Sequence, residues 1–286
     1  MGVQAVNVGG GDLLMGVAFL QAEGKKLPFL SANLIGSSDR KLLFPPFIVR
    51  DVEGVRVGVT GLLSPDWTPA VRRAAGNRVA VLNPAAAAVE AMKGLRGKAD
   101  VVVLLSDLSL PEEDAVVDAV PGIHFVLGGR EGRFGTVLVG NGDVPRLQSY
   151  RHGMYVGRLD MDIVRPGLSI LEKNRAQRLE SQLNDKESLL RHLKKWDGED
   201  TAPGLLRRIR ETEKEIEHLR EVLQRTRSAP ESGNFYKWLM VPMNTSIAED
   251  RLVREEFAEE KKVPGRPSAD SVRTPVSSNS PPASYR

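Results

Sequence analysis

The stretch ADVVVLLSDLSLPEEDAVVDAVPGIHFVLGGREG, residues 99–132, decides how the rest of the chain is read. Residues 101–105 are an unbroken run of Val and Leu, the pattern of a strand buried on both faces, and Phe-Val-Leu at 125–127 repeats it. Between them, residues 112–120 place apolar side chains at helical spacing. Strand, helix and strand in about thirty residues predict layers of helix and sheet around one core.

The same grammar extends in both directions. Short apolar runs at 5–8, 28–32, 47–52, 55–62, 136–139 and 156–163 are bounded by Gly, Pro and Asp, and residues 13–23 and 84–95 have helical spacing. Asn83 before Pro84 reads as an N-cap followed by proline at the first helical position. Residues 51–54 read as a tight hairpin turn between two strands. The sum is a mixed α/β sheet.

From residue 168 to 227 the character changes. Ala176, Leu179, Leu183, Lys186, Leu190 and Leu193 alternate spacings of three and four, as do Ile209, Thr212, Ile216, Leu219 and Leu223. DGEDTAPG at 197–204 separates the two runs, so they predict an antiparallel helical hairpin of coiled-coil type. NFYKWLMVPM at 234–243 reads as a strand returning to the sheet, which makes the hairpin an insertion. EDRLVREEFAEEKK at 249–262 reads as a short amphipathic helix, and the Ser- and Pro-rich remainder as disordered. The expected organisation is an α/β domain at 1–166, a helical hairpin at 167–233, a return strand and short helix at 234–262, and a tail at 263–286.

Composition limits the chemistry. Of 286 residues 41% are hydrophobic, 27% charged and 5% aromatic, and the net charge of +3 gives no electrostatic footprint for nucleic acid. With no cysteine there is no disulfide, thiolate nucleophile or Cys-ligated zinc. Four histidines remain, His124, His152, His192 and His218, the last two in the charged helical stretch. No apolar run approaches the ~18 residues of a membrane-spanning helix, and no signal-peptide pattern opens the chain, so as written it reads as cytoplasmic.

Five segments, in order, resemble the second half of the catalytic domain of the 5'-nucleotidase family of calcineurin-like metallophosphoesterases. AVNVGGGDLLMGVAFL (5–20) stands where that family has a strand, a GNH(D/E) motif and a helix. LPFLSANL (27–34) and LFPPFIVRDVEGVRVGVTGLLSPD (43–66) resemble its next strand and hairpin. Residues 99–132 resemble the stretch in which one strand ends at Ser-His and another at Gly-Gly-His-Ser-His; YRHGMYVGRLDMDI (150–163) resembles its closing strand. The resemblance implies a partial metallophosphoesterase-like β-sandwich flanked by helices, here carrying an inserted helical hairpin. In the family, a pair of divalent metals about 3.5–4 Å apart clamps a phosphate ester and activates water. It also implies export to the periplasm or cell surface.

Carried over position by position, the resemblance puts the metal-binding Asn at Gly10, the transition-state His at Gly11 and the neighbouring acid at Asp12. The His of the Ser-His strand end falls on Asp107, and the two histidines of Gly-Gly-His-Ser-His on Arg130 and Gly132. The first Asp-x-His motif and the next Asp ligand would precede Met1, which reads as a fragment. Glycine offers no ligand, and arginine places a fixed positive charge where a cation should sit. The expectation is a pseudoenzyme with no cofactor, acting as a binding or assembly module. Asp12 and Asp107 are the remaining candidate ligands for a Mn, Zn or Mg pair if an upstream half supplies an active phosphomonoesterase. A third alternative is a structural adaptor built on the hairpin.

Arg130, after Gly128 and Gly129, reads either as an anion-binding guanidinium or as an exposed or paired arginine, with Asp12 or Asp107 as the partner. Gly9, Gly10 and Gly11 offer backbone N–H groups to an anion, or make only a turn. His124 reads as a packed or capping residue, His152 as a turn residue. Half a sandwich would leave an apolar sheet face or edge uncovered, so the expected partner is a protein or a second copy, meeting that face or the hairpin.

Overall fold

The computed structural model describes residues 2–23, 27–69, 78–130, 134–139, 144–150, 153–195, 203–227 and 233–244, with the side chains of 134–139 left aside. In chain order the elements are β1 (Val6–Asn7), α1 (Val17–Glu23), β2 (Phe29–Leu30), β3 (Leu34–Gly36), β4 (Phe47–Val52), β5 (Val55–Leu63), β6 (Val79–Val81) and α2 (Pro84–Leu95). Then follow β7 (Val101–Asp107), α3 (Leu110–Ala119), β8 (Phe125–Gly128), β9 (Phe134–Val139), β10 (Val144–Ser149) and β11 (Tyr155–Asp162). The chain continues with β12 (Ile170–Glu172), α4 (Arg175–Lys195), α5 (Pro203–Arg227) and β13 (Asn234–Pro242). Residues Met1–Pro242 form one unit and Met243–Arg286 another. The expected helix at 249–262 and the tail lie outside the described residues, as do Gly132 and His152.

The central sheet has six strands in the order β4-β5-β7-β8-β10-β9. Neighbours from β5 through β10 are parallel, and β4 and β9 close the two edges antiparallel. Alternation along β7 explains its unbroken apolar run. Leu104 faces Ala87, Ala88 and Ala91 of α2 and Val116 of α3, while Val101 and Val103 face the opposite layer. Three alanines on one stripe of α2 present little side chain to the sheet, so the helix can lie close to it. Asn83 caps α2 by accepting from the N–H of Ala86 at 3.0 Å, as its place before Pro84 predicts. The hairpin turn at 51–54 also forms, with positive φ at both Glu53 and Gly54, the requirement of a two-residue turn matched to strand twist.

Of the expected uncovered face or edge, only the face changes: β4 and β9 still end an open sheet, but its second face is covered. Strand β13 returns between β11 and β12, antiparallel to one and parallel to the other, and builds a three-stranded second sheet. Tyr236 of β13, with Leu159, Met161, Ile170 and Trp238, packs on Val101, Val103, Phe125 and Leu147. Buried Asn234 fixes the return: its amide oxygen accepts from Val164 N and Arg165 N, and its NH2 donates to Arg165 O and Leu168 O, all within 3.0 Å.

The helical hairpin stands between β12 and β13. Leu179, Leu193, Ile209, Ile216 and Leu223 form its buried seam, and Arg220–Glu187, Arg227–Glu180 and Lys194–Glu213 tie the helices together at 2.6–2.7 Å. Both polar seam residues are satisfied: Lys186 reaches Glu215, and the Thr212 hydroxyl donates back to Arg208 O at 2.8 Å.

Two further readings change. The helix expected over 13–23 breaks at Gly16, whose φ of 87° no other residue adopts cheaply; a 3-10 turn at Asp12–Met15 precedes α1. Strands β3, β6, β10 and β12 were not expected from the sequence.

Candidate functional site

The candidate residues meet at the carboxyl ends of β1, β5, β7 and β8, the usual position of ligand sites in parallel sheets. Gly9, Gly10 and Asp12 follow β1, and Asp107 ends β7. Arg130 follows β8. Ser64 ends β5's exit and caps a 3-10 turn at Pro65–Trp67, accepting from Asp66 N at 3.2 Å. The capping-box spacing of Ser109 and Glu112 opens α3, with the Glu112 carboxylate accepting from Ser109 N at 2.7 Å and its hydroxyl at 2.8 Å.

The glycine turn is folded onto its own acids. Asp12 accepts from Gly9 N and Asp107 accepts from Gly10 N, each at 2.8 Å, so these two amides are engaged before any anion arrives. A Cβ at Gly10 would lie 1.8 Å from Cδ2 of Trp67 and 2.1 Å from Cε2. The indole therefore fills the space into which a side chain at position 10 would project. Gly11 meets no such obstacle.

Arg130 is an internal counter-ion with partners other than those expected. It pairs with Asp66 at 3.0 Å and approaches Glu112 at 3.6 Å, and neither Asp12 nor Asp107 is its salt-bridge partner. Glu112 is held in turn by Ser64, whose hydroxyl donates at 2.8 Å. The guanidinium acts on Asp107 only through its charge. Burial pushes the Asp107 carboxyl above the ordinary carboxylate range; the Gly10 hydrogen bond and Arg130 oppose that rise, and Asp12 adds to it. The Trp67 N–H also favours the charged form, although it reaches no acceptor with hydrogen-bond geometry.

Beneath this rim lies a fully buried polar group. Arg146 and Glu113, 1% and 0% exposed, form an ion pair; Ser106 donates to Glu113 at 2.6 Å and Arg146 donates to Gln148 at 2.7 Å. A Cβ at Gly128 would come 2.5 Å from the guanidinium, so glycine is what allows Arg146 to lie under the strand end.

A divalent pair does not fit these residues. Position 10 has neither a ligand atom nor room for one, Arg130 brings a positive charge to the rim, and both Asp12 and Asp107 are engaged by backbone amides. No group of three or more His, Asp or Glu residues converges to hold a metal among the described residues. His124 sits at the opposite end of the sheet, where its Nδ1 accepts from Val102 N at 3.1 Å and burial lowers its pKa. Trp67, Asp66, Ser64 and Glu112 are the site residues the sequence did not single out. Only Glu112 left a signal, the Ser-x-x-Glu spacing at 109–112.

No family model matches the sequence, and no curated protein does. Among solved structures, the calcineurin-like phosphoesterase YfkN from Bacillus subtilis is similar over 58% of this chain and 60% of its own, at 17% identity and a TM-score of 0.50. A 5'-nucleotidase precursor from Thermus thermophilus is similar at 28% identity over 56% of this chain and 36% of its own, with a TM-score of 0.47. The NAD nucleotidase of Haemophilus influenzae is similar at 19% identity over 54% and 35%, with a TM-score of 0.46. The chain thus spans about a third of each nucleotidase and three fifths of YfkN. It has the mixed α/β fold of the calcineurin-like phosphoesterases, as its sequence resemblance implies. Among the described residues no helix is long and apolar enough to cross a membrane.

Proposed function

We propose that this protein is a homologue of the 5'-nucleotidase-type metallophosphoesterases that does not perform two-metal hydrolysis and works as a binding or assembly module. The observation that carries this reading is Trp67 packed over Gly10, which removes both the ligand and the space for it. Two-metal phosphoester hydrolysis needs an open, carboxylate- and His-lined site in which one cation binds the ester and the other activates water. Here the rim is charge-compensated internally by Arg130, Asp66 and Glu112, and closed by an indole. The self-contained helical hairpin, with its charged outer faces, supports the assembly role, because its apolar seam is already satisfied and its surface is left for a partner.

The test is elemental mass spectrometry on purified protein, together with turnover of a nucleoside monophosphate in added Mn2+, Zn2+ or Mg2+. The expected result is substoichiometric metal and no turnover in folded protein. About two metals per chain, with turnover abolished by Asp107→Ala, would replace this reading with an active phosphomonoesterase.

A further inference from the structure

At the end of the sheet opposite Trp67, where β8 and β10 begin, a cleft of about 460 Å3 opens beneath the loop that leads into β12. Its size falls within the ordinary range for small-molecule sites, roughly 300–1,000 Å3. Two of its wall residues carry polar groups without partners. Tyr236 is 3% exposed, with its ring edge-on to Phe125 at 5.0 Å and its hydroxyl end among the charges of Glu172, Arg175 and Arg178. No hydrogen-bond partner for that hydroxyl exists among the described residues. Among the described residues Arg175 makes no ion pair either, and its Nε is buried without an acceptor.

The charge of the cleft follows from its pairings. Both oxygens of Glu172 are taken by Arg178, at 2.8 and 2.6 Å, which cancels those two charges and leaves Arg175 as the uncompensated one. His124 also lines the wall, but burial lowers its pKa and its Nδ1 already accepts from Val102 N, so it adds no positive charge. Burial likewise raises the Tyr236 phenol above its ordinary range and keeps it a neutral donor. Ile170 and Val144 supply apolar wall. We infer that this cleft binds a small organic monoanion, a carboxylate on an apolar body, with Arg175 pairing the carboxylate and the Tyr236 hydroxyl donating to it. A guanidinium fork suits a carboxylate, and one net positive charge matches one negative charge. This site is separate from the Gly10–Trp67 rim and stands whether or not the rim is catalytic.

The experiment uses the full chain, labelled with 15N, titrated with benzoate, 3-phenylpropionate and hexanoate, and with benzamide as the neutral counterpart of benzoate. Saturable shifts are expected at the amides of Gly122, Gly167 and Ser169, with those of Gly9, Gly10 and Gly11 unmoved and benzamide at least tenfold weaker. Arg175→Gln, at a half-buried helix start, should weaken carboxylate binding about tenfold or more, and Tyr236→Phe, which keeps the ring packing, about three- to tenfold. Absence of saturable shifts with all three carboxylates would overturn the inference. Equal response to benzamide, or unchanged affinity in Arg175→Gln, would do the same.

Discussion

The contact between Gly10 and Trp67 can be tested as an energy. Gly10 does not have a left-handed backbone, so alanine there meets no left-handed strain, and the three atoms nearest its Cβ all belong to the indole. A Cβ 1.8 Å from Cδ2 is about half a normal carbon–carbon contact distance, and the chain or ring must yield by well over an ångström. Overpacking of that kind costs about 2–3 kcal/mol. Trp67→Ala, removing a half-buried ring, costs about 2–4 kcal/mol by itself. In that background the obstacle is gone, and Gly10→Ala should become neutral or stabilise by ~0.5 kcal/mol through the unfolded chain. The double-mutant cycle should therefore close on a coupling of about 2–3 kcal/mol. Urea unfolding followed by far-ultraviolet circular dichroism measures all four corners, compared at equal slope. If Gly10→Ala costs the same with and without Trp67, the indole does not occupy that space and the argument against a ligand at position 10 fails.

The remaining expectations concern charge and packing. Because burial raises the Asp107 carboxyl in the folded state, the native protein binds more protons than the unfolded chain between the two pKa values. The Asp107 contribution to stability accordingly falls as pH rises through that window, and Asp107→Asn, which can still accept from Gly10 N, should raise Tm at pH 7. That advantage should shrink as the pH falls through the same window toward and below ~3.8; an advantage that grows in acid would refute the assignment. Arg146→Met should cost about 3–5 kcal/mol, because Glu113 is left charged and buried, and adding Glu113→Gln should recover part of the loss in chemical denaturation. Ile216→Ala should cost about 2–4 kcal/mol, with loss of helical ellipticity preceding loss of the near-ultraviolet signal if the hairpin melts first. Simultaneous loss of both signals would mean that hairpin and sheet unfold as one.

Much of the fold is legible because its determinants are local. Residues 101–105 can only be a strand covered on both sides, Asn83-Pro84 opens a helix, and Asp51 to Gly54 forms the turn. What escapes is set by tertiary contacts. VPRLQS at β10 looks polar, yet Arg146 and Gln148 are buried because Glu113, on a helix far along the chain, neutralises the arginine. Strands β3, β6 and β12 have three residues each, too short to show a period. Gly16 breaks a helix that spacing alone would continue. At the site, positions 10, 11, 12, 107 and 130 could be named from motif order. The groups that complete it, Trp67, Asp66 and Ser64, come from a loop after β5 whose sequence carries only turn signals.

The return of β13 also bears on how quickly the molecule assembles. Its partners β11 and β12 are finished before the helical hairpin begins, so pairing must span about sixty residues between Glu172 and Asn234. If α4 and α5 zip first, their antiparallel packing brings the ends together and leaves an effective loop of roughly a dozen residues. The logarithmic closure law makes that shortening worth roughly 1–1.5 kcal/mol, about tenfold in the rate of completing the second sheet. The hairpin then acts as a folding clasp: its own helices are local and fast, and the slow, long-range strand pairing that covers Phe125 waits on them.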